Sequence, residues 1–134
     1  MIITKERDYA IRILRELADG QPHTEKSICS EEEIPVHFCY RIARKLADAG
    51  FVMITRGRNG GYTLNCDLHE TSVMDVINAV KEEAVIAGCL RTGEECKYRD
   101  KNHGVCNVHH NLQSLQKRLI EELMSVKLYD LIFE

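Results

Sequence analysis

Residues 51–66, FVMITRGRNGGYTLNC, constrain the fold of this chain more than any other stretch. On either side of it, apolar residues recur at helical spacing. Inside it, the period changes. Residues 51–55 are apolar and β-prone, GRNGG supplies residues that tolerate positive φ, and YTL resumes an extended pattern. That combination predicts a β-hairpin set into an otherwise helical chain.

The helices around it are legible from their apolar stripes. Thr4 caps a first helix carrying Ala10, Ile11, Ile13, Leu14, Leu17 and Ala18, ended by Gly20 and Pro22. Its opposite face holds Asp8, Arg12 and Arg15. Thr24 opens a short second helix, EKSICSEEE, anchored by Ile28. Pro35 suits the start of a third, since its missing N–H is not needed there. On that helix Phe38, Ile42, Leu46 and Ala49 share one face; His37, Tyr40, Arg41, Arg44 and Lys45 lie mostly on the other. After the hairpin, Thr71 and Ser72 cap a helix striped by Val73, Val76, Ile77 and Val80, with Asp75 completing a short capping box. Leu112, Leu115, Leu119, Leu123 and Val126 space out a long helix to about residue 126, and the tail LYDLIFE is apolar enough to dock on a partner.

Two helices joined by a tight turn and followed by a hairpin form a winged helix-turn-helix pattern. The expected fold is therefore mainly α with a small β-hairpin wing: a winged helix-turn-helix domain plus a long C-terminal dimerisation helix. The expected division is a winged-helix domain over 1–80, a loop over 81–108, and a dimerisation helix with its tail over 109–134.

Charge distribution indicates the partner. The net charge is −3, yet between residues 37 and 62 the bases Arg41, Arg44, Lys45, Arg56 and Arg58 face one acid, Asp48. Basic side chains gathered on a helix and a wing fit double-stranded DNA. Arginine forks suit guanine edges or phosphate, His37 sits near the helix start, Tyr40 can donate to phosphate, and Lys45 suits phosphate. Arg56 and Arg58 on a thin glycine-rich tip suit a narrow minor groove. No paired acid/base constellation, phosphate loop or activated nucleophile is present, so neither an enzyme nor a small-molecule substrate is expected. No apolar run approaches the roughly 18 residues that span a bilayer, and no membrane partner is expected. The amino terminus lacks a basic-then-apolar signal layout, which points to the cytoplasm.

Six cysteines without an export signal read as reduced thiols or metal ligands. Three stand as Cys89-x6-Cys96-x9-Cys106-x2-His109. There is no tight C-x2–4-C pair of the zinc-ribbon kind. Three thiolates on a loose loop suit an iron–sulfur cluster, 2Fe–2S or 4Fe–4S, which usually needs four soft ligands. Structural zinc, a bare thiol switch or a partner protein are the cluster-free alternatives. Cys29 and Cys39 lie on core-facing sides and pack as small apolar residues, and Cys66 is structural.

Several motifs together resemble the bacterial regulator family that includes the iron–sulfur regulator IscR and the nitric-oxide-sensitive repressor NsrR. They are the Tyr9–Ala10 pair, the KLADAGFV close of the third helix, the wing RGRNGGY, the downstream VMDVINAV, and the cysteine loop. The resemblance spans nearly the whole chain. It implies a homodimeric transcriptional regulator, a repressor, that binds a palindromic operator and senses redox, nitric oxide or iron–sulfur status. It places a cluster on Cys89, Cys96 and Cys106, in a loop several residues longer than usual. The fourth ligand stays open: His109 fits the IscR-like pattern, and Asp8, supplied by the partner subunit, fits the NsrR-like one. His103 and His110 are weaker candidates. The family's wing arginine matches Arg56. Its frequent YLEQ run in the recognition helix corresponds here to Phe38, Cys39, Tyr40 and Arg41, so Tyr40 and Arg41 stand where the family has an acid-amide pair.

Overall fold

The computed structural model describes residues 2–134. Its helices are α1 (Lys5–Glu16), α2 (Glu25–Glu32), α3 (Val36–Asp48), α4 (Val73–Ala79), α5 (Lys97–Lys101), α6 (Asn107–Ser125) and α7 (Leu128–Phe133), with 3-10 turns at Leu17–Asp19 and Gly88–Leu90. One hairpin, β1 (Val52–Thr55) and β2 (Gly61–Leu64), stands between α3 and α4. The architecture is the mainly helical winged helix-turn-helix that the sequence predicts.

The core forms where the amphipathic stripes meet. Ile13, Leu14 and Leu17 from the first helical segment, Ile28 from α2, Ile42 and Leu46 from α3, and Val76 and Ile77 from α4 are fully buried in one cluster. Each such aliphatic side chain contributes on the order of 1.5–3 kcal/mol by leaving water. Cys29 and Cys39 belong to the same cluster, as their positions predict, and burial pushes the Cys39 thiol up to about 12. Cys66 is half-buried, and burial raises its thiol too. Ala49 departs from expectation: it is exposed, because the helix closes there and Ala49 serves as its C-cap.

Side-chain caps set the helix starts. Thr4 accepts from the Arg7 N–H and Thr24 from the Ser27 N–H. Ser72 and Asp75 form the expected reciprocal box at 3.1 and 2.8 Å. Thr71 does a different job, donating its hydroxyl to the Asp67 carbonyl.

The wing is antiparallel, with Val52 opposite Leu64 and Thr55 opposite Gly61. It gains a third line of pairing from the α1–α2 connection: His23 and Tyr62 exchange backbone hydrogen bonds of 3.0 and 2.8 Å. The two consecutive glycines have separate reasons. A Cβ on Gly60 would lie 2.2 Å from the Thr55 carbonyl oxygen. Gly61 has φ +143°, and a Cβ there would lie 2.6 Å from the His23 carbonyl oxygen.

The tail departs from the sequence expectation. It folds back on its own chain as α7, with Leu128 fully buried. Backbone bonds from Val73 to Val126, Leu128 to Thr71, and Tyr129 to Leu68 stitch it to the segment before α4, and Tyr129 stacks on His69 with ring centroids 3.9 Å apart.

Candidate nucleic-acid interface and cysteine loop

Helix α3 presents its buried side to the core and leaves His37, Tyr40, Arg41 and Arg44 exposed, with Lys45 half-buried. Phe38, half-buried, is the platform under this face. His37 and Tyr9 pack against its ring, with centroids 4.4 and 5.5 Å away, and the Arg41 guanidinium lies 5.0 Å from its centroid. Arg44 pairs with Asp48 one turn on at 3.4 Å, an exposed contact of small stability value. Arg41 and Lys45 both reach across to α1, where Glu6 accepts from Arg41 Nη2 at 2.5 Å and from Lys45 Nζ at 3.0 Å. Arg56 and Arg58 are exposed at the wing tip. Among the described residues, neither has a carboxylate within ion-pair distance.

Of the other cations in this half, Arg12 pairs with Asp8 at 2.9 Å and Arg15 is held by the buried Glu32. Arg7 is a different case. It is 1% exposed and, among the described residues, no carboxylate lies within ion-pair distance; its guanidinium donates to the Ile2 carbonyl at 2.7 Å and the Glu82 carbonyl at 2.5 Å. Desolvation by burial lowers its pKa. Arg7 thereby ties α1 to the entrance of the cysteine loop.

The loop itself is tethered more than its sequence suggests. Ile86 N–H donates to the Gln116 side chain of α6 at 3.0 Å, and Thr92 donates twice to Glu83 at 2.9 Å. Cys89 lies in the 3-10 turn, Cys96 caps α5, and Cys106 caps α6, its sulfur accepting the His109 N–H at 3.4 Å. All three thiols are free and half-buried. His109 Nε2 lies 3.0 Å from Arg99 Nη1, while its Nδ1 is buried without a partner. His103 and His110 are exposed. Asp8 lies on α1, engaged by Arg12.

Three uncrosslinked thiols and a histidine with an orphaned ring nitrogen are the right donor types for a soft iron centre. They are not gathered, however: among the described residues, no three His, Cys, Asp or Glu side chains converge as a metal-binding group. The donor chemistry fits and the cage does not, so a cluster would require the loop to close around it.

Sequence reading missed Glu6, Arg7 and the platform role of Phe38. Glu6 and Arg7 sit in a first helical turn, where charge ordinarily faces solvent. The only available signal was that Glu6 and Arg7 have no oppositely charged residue three or four positions away along the helix.

Comparison with known proteins agrees with this architecture. The Rrf2 family model, described as an iron-dependent transcriptional regulator, matches residues 3–134. Protein aau3 of Rhizobium meliloti (strain 1021) is 27% identical over 98% of this chain and 85% of its own length. The transcriptional regulator IscR of Vibrio campbellii is 27% identical over 98% of this chain and 77% of its own. The solved structure of CymR (YrzC), the global cysteine regulator of B. subtilis, superposes with a TM-score of 0.68 at 24% identity, covering 98% of this chain and 96% of that one, which is a likeness of fold. No helix among the described residues is long and apolar enough to cross a membrane. A winged helix-turn-helix with a basic α3, together with a family match across almost its full length, places this chain in the Rrf2 family of DNA-binding transcriptional regulators, which are not enzymes.

Proposed function

We propose that this chain is a homodimeric, cytoplasmic repressor that binds a palindromic operator and couples that binding to redox, nitric-oxide or iron–sulfur status through a cluster on its cysteine loop. The observation that carries the DNA reading is the placement of polar and basic side chains: His37, Tyr40, Arg41 and Arg44 are exposed on α3, and Arg56 and Arg58 are exposed on the wing with, among the described residues, no carboxylate within ion-pair distance. In this reading α3 enters a major groove, Lys45 serves phosphate, and the wing arginines follow the adjacent minor groove.

Dimerisation is supported by α6. None of its 19 residues is buried, and Val108, Leu115 and Leu119 leave an apolar stripe 67%, 39% and 38% exposed. A second copy would cover that stripe and set two α3 helices at the spacing of two half-sites. The division of labour follows as 1–80 for DNA, 81–108 for sensing and 109–134 for pairing, with α7 clasped to the DNA-reading half.

The cluster reading is supported by the donor set and by the family's description as iron-dependent. Cys89, Cys96 and Cys106 are the proposed thiolate ligands, with Asp8 of the partner subunit or His109 as the fourth. A bound cluster would supply a group that oxidants and nitric oxide alter. The chain's own part is to transmit loop order: the Arg7 bond to Glu82 reaches α1, and the Gln116 bond to Ile86 reaches α6. A second reading, favoured by the ungathered thiols, is a cluster-free regulator working by a thiol switch, structural zinc or a partner protein.

Anaerobic reconstitution with ferrous iron and sulfide separates the two readings. The first expects a coloured protein that Cys→Ala at 89, 96 or 106 bleaches, with Asp8→Ala and His109→Ala weakening it unequally. A colourless preparation establishes the second. Selection of bound genomic fragments tests the DNA half, which expects inverted half-sites and affinity falling steeply with salt.

A further inference from the structure

We propose that Glu6 is an internal competitor for DNA phosphate: by bridging Arg41 and Lys45 it holds down the affinity of this protein for DNA of arbitrary sequence. The inference rests on the DNA-binding role of α3.

An acid in the first turn of a helix ordinarily does its work in place, against the positive end of the helix dipole. Glu6 does more than that. Its carboxylate is 81% buried as a side chain and spends one oxygen on each of two cations from another helix, at 2.5 and 3.0 Å. Those cations are two of the three Lys and Arg side chains of α3. The third, Arg44, has only the exposed Asp48 at 3.4 Å. Among the described residues, Arg41 and Lys45 have no other acidic partner. One carboxylate offsets one of these two positive charges, so the basic face that must meet the duplex is partly neutralised in the free protein, while the wing arginines are not.

A phosphate can use Arg41 or Lys45 only by replacing a carboxylate oxygen. A cation that stays with Glu6 neutralises no phosphate and so releases no counterion from DNA, and counterion release dominates non-specific affinity. A specific site offers more than phosphate: Arg41 can exchange Glu6 for a base edge as a fork, which recovers the lost pairing. Glu6 thus taxes indiscriminate contacts more heavily than those at a matching sequence.

The size of the effect follows from the salt law, in which each phosphate contact adds about 0.9 to the slope of log affinity against log salt. With electrostatic binding vanishing near 1 M, one recovered contact raises affinity about fourfold at 0.2 M and about fifteenfold at 0.05 M. The experiment is fluorescence anisotropy of the full chain with a labelled mixed-sequence duplex of about 24 base pairs, between those salt concentrations. Glu6→Gln keeps the hydrogen-bonding shape and removes the charge. It is expected to bind more tightly by those factors with a steeper salt slope, and adding Arg41→Gln should remove most of the gain. Parallel salt plots for wild type and Glu6→Gln within twofold of each other overturn the proposal.

The DNA reading has its own signature. If wild-type affinity ignores salt and Arg56→Gln changes nothing, DNA binding by this face fails, and the inference falls with it. If Arg56→Gln weakens binding while Glu6→Gln does not strengthen it, the inference alone fails.

Discussion

Replacing Gly61 by alanine tests how the wing is held. The backbone there has φ +143°, outside the range that side chains accept, and the new Cβ would lie 2.6 Å from the His23 carbonyl oxygen. Strain of that kind costs about 1–3 kcal/mol. Relieving the contact requires His23 and Tyr62 to part, which gives up backbone bonds of 3.0 and 2.8 Å worth about 0.5–1.5 kcal/mol each. The expected total is about 2–6 kcal/mol. Gly57 provides the control, because it also has positive φ, +106°, but no atom within 4 Å of its notional Cβ. Gly57→Ala should therefore show the strain alone, about 1–3 kcal/mol. Urea unfolding at one fixed protein concentration measures both, since the stability of the proposed dimer would depend on concentration. DNA affinity should fall further for Gly61→Ala, because its wing is no longer pinned beside α3. Equal destabilisation by the two substitutions would refute the role assigned to the His23 contact.

Other substitutions probe the remaining joints. Leu128→Ala empties a fully buried site and should cost about 2–5 kcal/mol in urea unfolding, with α7 losing amide protection; a change below about 1 kcal/mol would mean the clasp is not packed as described. Arg7→Met removes two hydrogen bonds from a buried charge and leaves the Ile2 and Glu82 carbonyls unsatisfied. The net loss should be about 1–3 kcal/mol, moderated because a buried charge also disappears. Hydrogen exchange should quicken at residues 82–86, and unchanged exchange there would sever the proposed link. Iodoacetamide at pH 8 should label Cys89, Cys96 and Cys106 before Cys39, whose buried thiol is pushed up to about 12; peptide mass spectrometry showing equal rates would contradict that burial. The same thiol, with its ordinary value near 9.0, has a folded pKa above its unfolded one, so its contribution is fully present below that value and is lost as pH rises toward 12. Cys39→Ala should flatten the decline in stability between pH 8 and 11, and an unchanged profile would remove this group as its source.

Short-range pattern made much of the fold legible. Thr4, Thr24 and Ser72 announced their helices, and the apolar stripes of α1, α3 and α4 identified the core, because capping and periodicity are local. The double glycine announced a hairpin, but not why two glycines are needed: Gly61 is packed against His23, which sequence spacing does not reveal. Glu6 escaped for the same reason, since its partners lie 35 and 39 residues away. The tail was legible as apolar and not as to what it covers; only tertiary packing decides between its own chain and another. The cysteine loop was legible as donor chemistry alone. Without periodicity, nothing in residues 81–106 specifies whether its thiols converge, and their final arrangement depends on what they bind.

The clasp at the end of α6 turns that helix into a lever. Its C-terminal end is stitched through Val126 and Leu128 to residues 71–73, beside the cap of α4, while its opposite end begins at Cys106 and carries His109. Nineteen residues give an arm of about 28 Å at 1.5 Å rise per residue. A tilt of about 5° at the clasp displaces the far tip by about 2.5 Å, roughly the length of a metal–sulfur bond. Moving Cys106 at the tip by about that distance is therefore geometrically commensurate with a rotation of only a few degrees at the fulcrum, where the arm meets the DNA-reading half.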